Sequence, residues 1–388
     1  MFRLEIKRLI KTRSVAVLAV IALAASAFFA ASTVFDDGMS VESRFYYDPS
    51  LQGLNAIEYL KGIYDDVEGY VTEERIDEVN RVSNEIWETY RSFDAMPREA
   101  FDQYMACQAI LSRIGHQGSE YYEQRRGNIE SGLFTQNEAA ARAATELDSS
   151  VDKPFYWEYG FGSSDFWQDW TICLFALCLI CTVIAAPIFS QGYATGEDSI
   201  LRCSKYGRRK LARTRMLAVY AFCTALYIIC AAVFSGILLL AFGPDKSSAQ
   251  LKVGSYVLIN LNMNQALALF VLSGLLTMLA SISLTMLLSS IQSNTVMVLV
   301  MSAAALALPM FADHYLDYPV SDWIRLLLPG GGTGLQNSMY YELTSGFQFL
   351  TLGSLAIWTP FVMLAAPVIE TPVFALLAKR AYVRHECS

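Results

Sequence analysis

Histidine is nearly absent: His116, His314 and His385 are the only three in 388 residues. None opens a His-Glu-x-x-His sequence, which excludes the zinc-protease helix. A serine or cysteine triad also needs a histidine beside its nucleophile, and nothing here supplies the pair. The dipeptide Gly-Lys does not occur, so the lysine that a Walker motif places on phosphates is missing. Pro329-Gly330-Gly331-Gly332-Thr333-Gly334 therefore reads as a flexible break in the chain rather than a nucleotide loop. No catalytic residue, cofactor-binding residue or metal ligand is assigned, and no enzyme activity is expected.

Charge is scarce as well. Charged residues make up 17% of the chain, where a soluble chain carries about 25%. Residues 253–312 contain no Asp, Glu, Lys or Arg. About 20 apolar residues already cross a bilayer, so a soluble enzyme and a single-span receptor are both excluded. The net charge of −8 argues against nucleic acid as a partner, which needs a basic surface. Cysteine is too dispersed for a disulfide framework. Of eight, only Cys107 falls between the first two apolar runs, and five others lie within apolar runs, where Cys acts as a small hydrophobe.

What is abundant is apolar residues, 54% of the chain. They predict an all-α polytopic membrane protein with six transmembrane helices and a large helical extracellular domain between helices 1 and 2. An amphipathic helix at 1–13 precedes span 1 at 14–34, and an acidic domain follows at 35–165. Span 2 is placed at 166–190, a cytoplasmic loop at 191–215 and span 3 at 216–242. An outer loop at 243–264 leads to spans 4 and 5 at 265–289 and 294–312. A second outer loop at 313–346 precedes span 6 at 347–377, with a tail at 378–388. The apolar part of span 6 ends at 369, so Glu370, like Asp169, is expected near a span end where water reaches it.

Lys and Arg orient the spans, because they collect on the cytoplasmic side. The N-terminal segment, the 191–215 loop and the tail together hold fifteen; the opposite short loops hold Lys246, Lys252 and Arg325. Both termini are therefore expected in the cytoplasm of a bacterial cell membrane. Residues 36–165 then lie outside, with 26 acidic and 11 basic residues and a charge of −15. Val71, Ile76, Val79, Val82, Ile86, Tyr90 and Phe93 recur at helical steps behind Thr72, a residue type suited to an N-cap. A second helix is expected from Pro97 to Gly115, and Thr135-Gln136-Asn137-Glu138 reads as a capping box opening a third. The aromatic residues of 155–170 suggest an interfacial belt.

Two basic stretches carry the functional signal. In Met1–Arg13, Leu4, Ile6, Leu9 and Ile10 alternate with Arg3, Lys7, Arg8 and Lys11, which describes a helix lying on anionic lipids. In the 191–215 loop, Glu197 and Asp198 precede Ile200 and Leu201; Gly207, Arg208, Arg209 and Lys210 follow. Acids suit a helix start and bases its end, so a short helix is expected over 197–206. A positive-inside anchor explains the bases but not the acids or the apolar pair.

These features together resemble the ABC-2-type permeases, the membrane subunits of ATP-driven exporters. The resemblance rests on Glu5 in a basic first helix, a long segment after span 1, and Glu197, Ile200-Leu201, Gly207-Arg208-Arg209 and Arg215 after span 2. Arg215 stands where Lys is frequent. The resemblance implies that 197–206 docks into a separate ATPase subunit, present in two copies, which binds ATP and Mg. It also implies a second permease, identical or homologous, and a re-entrant segment between spans 5 and 6, for which Ser321–Leu328 and the following Pro-Gly break are suited. The rival expectation is a non-transport membrane sensor or scaffold whose acidic domain binds a ligand. The substrate is not legible.

Overall fold

Alternating apolar and basic residues form the first helix, α1 (Phe2–Lys11). Thr12 is extended and its hydroxyl donates to the Arg8 carbonyl, 2.8 Å, ending α1 before α2 (Arg13–Ser40) begins. The structure is a computed structural model that describes residues 1–40, 53–115, 118–133, 135, 137–202, 207–316, 320–334, 337–344 and 348–385.

The domain after α2 is mostly helical. It contains α3 (Leu54–Tyr64), α4 (Glu73–Tyr90), α5 (Arg98–Leu111), α6 (Tyr121–Glu130) and α7 (Glu138–Asp148). Strands β1 (Gly69–Tyr70) and β2 (Tyr156–Trp157) pair antiparallel across it. Thr72 caps α4 by accepting from the Arg75 amide at 3.2 Å. Val71, Ile76 and Val79 are buried against Cys107, Ile110 and Ile114. The cap of α7 is not Thr135 but Asn137, whose side chain accepts from the Ala140 amide at 2.8 Å. Thr135 donates to the Gly132 carbonyl instead, a local turn that outcompetes the box.

Among the described residues, six helices are long and apolar enough to cross a membrane: Arg13–Phe35, Phe166–Thr195, Arg209–Phe242, Met263–Ile291, Thr295–Ala312 and Thr359–Arg384. The second is α8 (Phe166–Ala185) continued by α9 (Pro187–Thr195). It exceeds the expected end at 190 because Ser289 compensates for Pro187. The Ser289 hydroxyl accepts from the Phe189 and Ser190 amides, 3.1 Å each, and donates to the Ala186 carbonyl at 2.6 Å. One hydroxyl thereby uses its donor and both lone pairs where proline disturbs the helical ladder.

A short helix, α10 (Glu197–Arg202), precedes α11 (Arg209–Phe242). Span 3 thus starts within the basic cluster rather than at 216. Beyond α12 (Ala249–Lys252) come α13 (Met263–Ile291) and α14 (Thr295–Tyr315). Then α15 (Val320–Leu326) and α16 (Met339–Thr344) lead to β3 (Phe349–Leu352), β4 (Leu355–Trp358) and α17 (Thr359–Arg384).

Two expectations change here. The first part of the 347–377 span is a hairpin, so the last helix begins at Thr359. Gly353 has φ +63°, as primed two-residue hairpin turns require, and Gly353-Ser354 is the loop. Periodicity alone could not separate an apolar hairpin from an apolar helix. Glu370 consequently sits well inside α17, between Pro367 and Pro372, rather than near an end. Its Oε2 is buried without a hydrogen-bond partner among the described residues. The fold is otherwise mostly helical, consistent with an all-α polytopic membrane protein; the described strands form two short antiparallel pairs.

The glycine run is not a flexible break either. Thr277 donates to the Gly331 carbonyl at 3.0 Å and Ser281 to the Pro329 carbonyl at 2.8 Å. Both hydroxyls lie near the middle of the 29-residue α13. A Cβ on Gly330 would stand 2.5 Å from the Leu306 carbonyl oxygen of α14. The segment therefore folds back to mid-helix depth, packed between α13 and α14. Irregular backbone is tolerated at such depth where protein buries and satisfies it, and small residues permit the approach.

Candidate functional site

Four helices converge where α1, α10 and the end of α17 meet the start of α11. Arg215 is at the centre, 4% exposed. Its guanidinium lies 3.8 Å from Glu5 of α1 and 3.8 Å from Asp198 of α10. It also donates to the Ile188 carbonyl of α9 at 3.4 Å. The Tyr382 hydroxyl of α17 donates to Asp198 Oδ1 at 2.6 Å. Glu5 carries a second cation, Arg8, at 3.4 Å.

Local sequence places each member. Gly196 adopts φ +73°, the left-handed residue that ends α9, and lets the chain turn at once into α10. Glu197 and Asp198 open that turn, but only Asp198 turns inward. Asp198 is 2% exposed, while Glu197 faces out. On the outward side Ile200 is 77% and Leu201 38% exposed. The aromatic ring of Tyr382 is held against Phe189, centroids 4.5 Å apart, and Tyr193 stacks on His385 at 4.2 Å.

Of the residues singled out by sequence, the structure joins Glu5, Arg8 and Asp198 in one network. Lys7, Lys11, Arg208 and Arg209 are exposed outside it, and Gly207 is buried. Of the expected helix 197–206, Glu197–Arg202 is helical; residues 203–206 lie outside the described residues. Leu9 packs into the core, whereas Leu4 and Ile10 remain exposed on α1.

Two groups of residues were missed by sequence reasoning. Tyr382 lies 184 positions from Asp198, and no local pattern announces it. The sequence singles out Arg215 as a topogenic base and in the ABC-2 resemblance, but its burial at the centre of this network is not legible there. At the opposite end, Arg325 pairs with Glu342 and, at 3.0 Å, with Asp322; it also donates to Gln348 at 3.0 Å. All three charged side chains are buried. For the folded-back segment 329–333 a signal did exist: Ser273, Thr277, Ser281, Thr285 and Ser289 recur every fourth residue, one polar stripe down α13, and Thr277 and Ser281 of it meet that segment.

No protein-family model matches the sequence, and neither a curated protein nor a solved structure does.

Proposed function

We propose that this chain is the membrane-spanning subunit of a bacterial ABC exporter of the ABC-2 type. It moves a substrate across the cell membrane by alternating access, driven by a separate ATPase subunit in two copies that binds ATP and Mg. A second permease, identical or homologous, completes the translocator. Both termini are cytoplasmic, α1 rests on the inner-leaflet lipids, and the acidic domain is extracellular.

The observation that carries this reading is the two-sided character of α10. Its outer side offers Ile200 and Leu201 to solvent, while Asp198 on its inner side reaches Tyr382 and Arg215. Burying two such apolar side chains in a partner contributes about 1.5–3 kcal/mol each before ordering costs. A partner that grips α10 differently in its ATP-bound and ATP-free states then displaces α9, α11, α17 and α1 together. Differential contact of this kind is what couples two conformations.

Purification from the native cell tests the reading. The chain is expected to bring down an ATPase, and the isolated chain to hydrolyse no ATP. Hydrolysis by the chain alone would contradict it, and absence of any copurifying ATPase would favour a sensor or scaffold. Single cysteines in a cysteine-free background test the topology: Cys at Ser131 is labelled from outside and Cys at Ser204 is not.

A further inference from the structure

A cavity of about 330 Å³ lies between the domain that follows span 1 and the short helix α12. Lys252 and Arg113 both line it, and among the described residues no Asp or Glu does. This reverses the local sign within a region of charge −15 over residues 36–165. Tyr64, Trp157 and Tyr159 supply aromatic walls.

Lys252 is 2% exposed. Its ammonium donates to the Ser163 hydroxyl and stands 4.7 Å over the Trp157 ring. An ammonium carries three N–H donors, so its hydrogen-bonding capacity is only partly used. Burial pushes its pKa down to about 8, the field of Asp245 opposing that shift. Asp245 is itself engaged elsewhere: it accepts from the Gly162 and Ser247 amides at 2.9 Å each. Trp157 adds a buried indole N–H with no hydrogen-bond acceptor among the described residues. The cavity thus gathers two cations and several neutral hydrogen-bonding groups, with no carboxylate among the described lining residues. Asp245 and Glu158 act on Lys252 only through their fields, without ion-pair contact; a buried cation left without a contacting anion is costly, and an anion in the cavity reduces that cost.

We propose that this cavity binds a small organic monoanion, a carboxylate carried on one aromatic ring or a short apolar chain. The carboxylate faces Lys252 and Arg113, and the apolar body packs on Tyr64, Trp157 and Tyr159. Ligand pockets span about 300–1,000 Å³, so a site this small suits a single ring rather than a peptide. Aromatic walls distinguish it from a site for an inorganic anion, which has no apolar surface to bury.

The test is ligand-observed saturation-transfer NMR on the purified full chain, with benzoate, phenylacetate and hexanoate as probes. At least one binds saturably. Benzamide, which keeps the ring but lacks the charge, does not compete, and inorganic phosphate competes weakly. Lys252→Met weakens binding about tenfold or more, and Arg113→Gln weakens it several-fold. Lys252→Arg restores most of the affinity. Because Lys252→Met removes a buried charge, it keeps or raises the melting temperature; if it does not fold, Arg113→Gln decides. Saturable binding by none of the three probes overturns the proposal. So does undiminished binding by a folded Lys252→Met, or equal competition by benzamide or phosphate.

Discussion

The Tyr382 hydroxyl and Asp198 Oδ1 are 2.6 Å apart and join the last helix to the short helix α10 across 184 residues. Arg215 approaches the same oxygen at 3.8 Å, so a single carboxylate links α10, α11 and α17. Tyr382→Phe deletes one hydrogen bond to a charged group and should cost about 1.5–3 kcal/mol. Arg215→Met leaves the inward acids Glu5 and Asp198 without their shared cation and should cost more, about 3–5 kcal/mol. Thermal unfolding of the two variants in detergent checks the order. Equal stability of Arg215→Met and the natural chain would remove the network from the account.

The exposed pair on α10 is tested by Ile200→Asp with Leu201→Asp. Ile200 is 77% and Leu201 38% exposed, so expression and insertion should be kept and the melting temperature should change little. ATPase copurification and export should fall together. Normal export by the double variant would reduce this segment to a positive-inside loop.

Gly330 and Gly127 make a contrasting pair. A Cβ on Gly330 would collide with the Leu306 backbone, whereas one on Gly127 meets nothing within 4 Å. Gly330→Ala should destabilise by about 1–3 kcal/mol through overpacking. Gly127→Ala, inside α6, should be neutral or stabilising by up to about 1 kcal/mol. Melting temperatures of the two variants decide whether 329–333 is packed at depth; a neutral Gly330→Ala would refute that placement.

Lys252 makes a prediction in pH. Its folded pKa of about 8 lies below the ordinary 10.5, under the combined influence of burial, Asp245, Arg113 and Glu158. Between these values the unfolded chain binds more protons than the folded one, so stability from this group rises with pH. Buried tyrosines such as Tyr64 and Tyr121, raised to about 12, act in the opposite sense above pH 10. The difference between the natural chain and Lys252→Met isolates the lysine. The natural chain should gain on the variant from about pH 8 to 10.5, and a constant gap would show that Lys252 is not held neutral more easily than in water.

Much of the fold follows from short-range patterns. Uncharged runs mark six helices because a bilayer-length apolar helix needs no distant partner. Thr72 and Pro97 mark helix starts in the domain because capping acts within one turn. The acids and the apolar pair announce α10, and basic residues facing Leu9 announce α1. The tertiary structure alone decided which polar groups are buried. Asp198 turns inward while its neighbour Glu197 does not, because Tyr382 and Arg215 happen to be packed there. The apolar run at 349–358 pairs with itself instead of spanning, since Gly353 permits a tight turn and β3–β4 packs on α7. The glycines at 330–332 look like punctuation in one dimension. In three they are the points where backbone meets backbone, a contact between α13, α14 and a segment that no local rule relates.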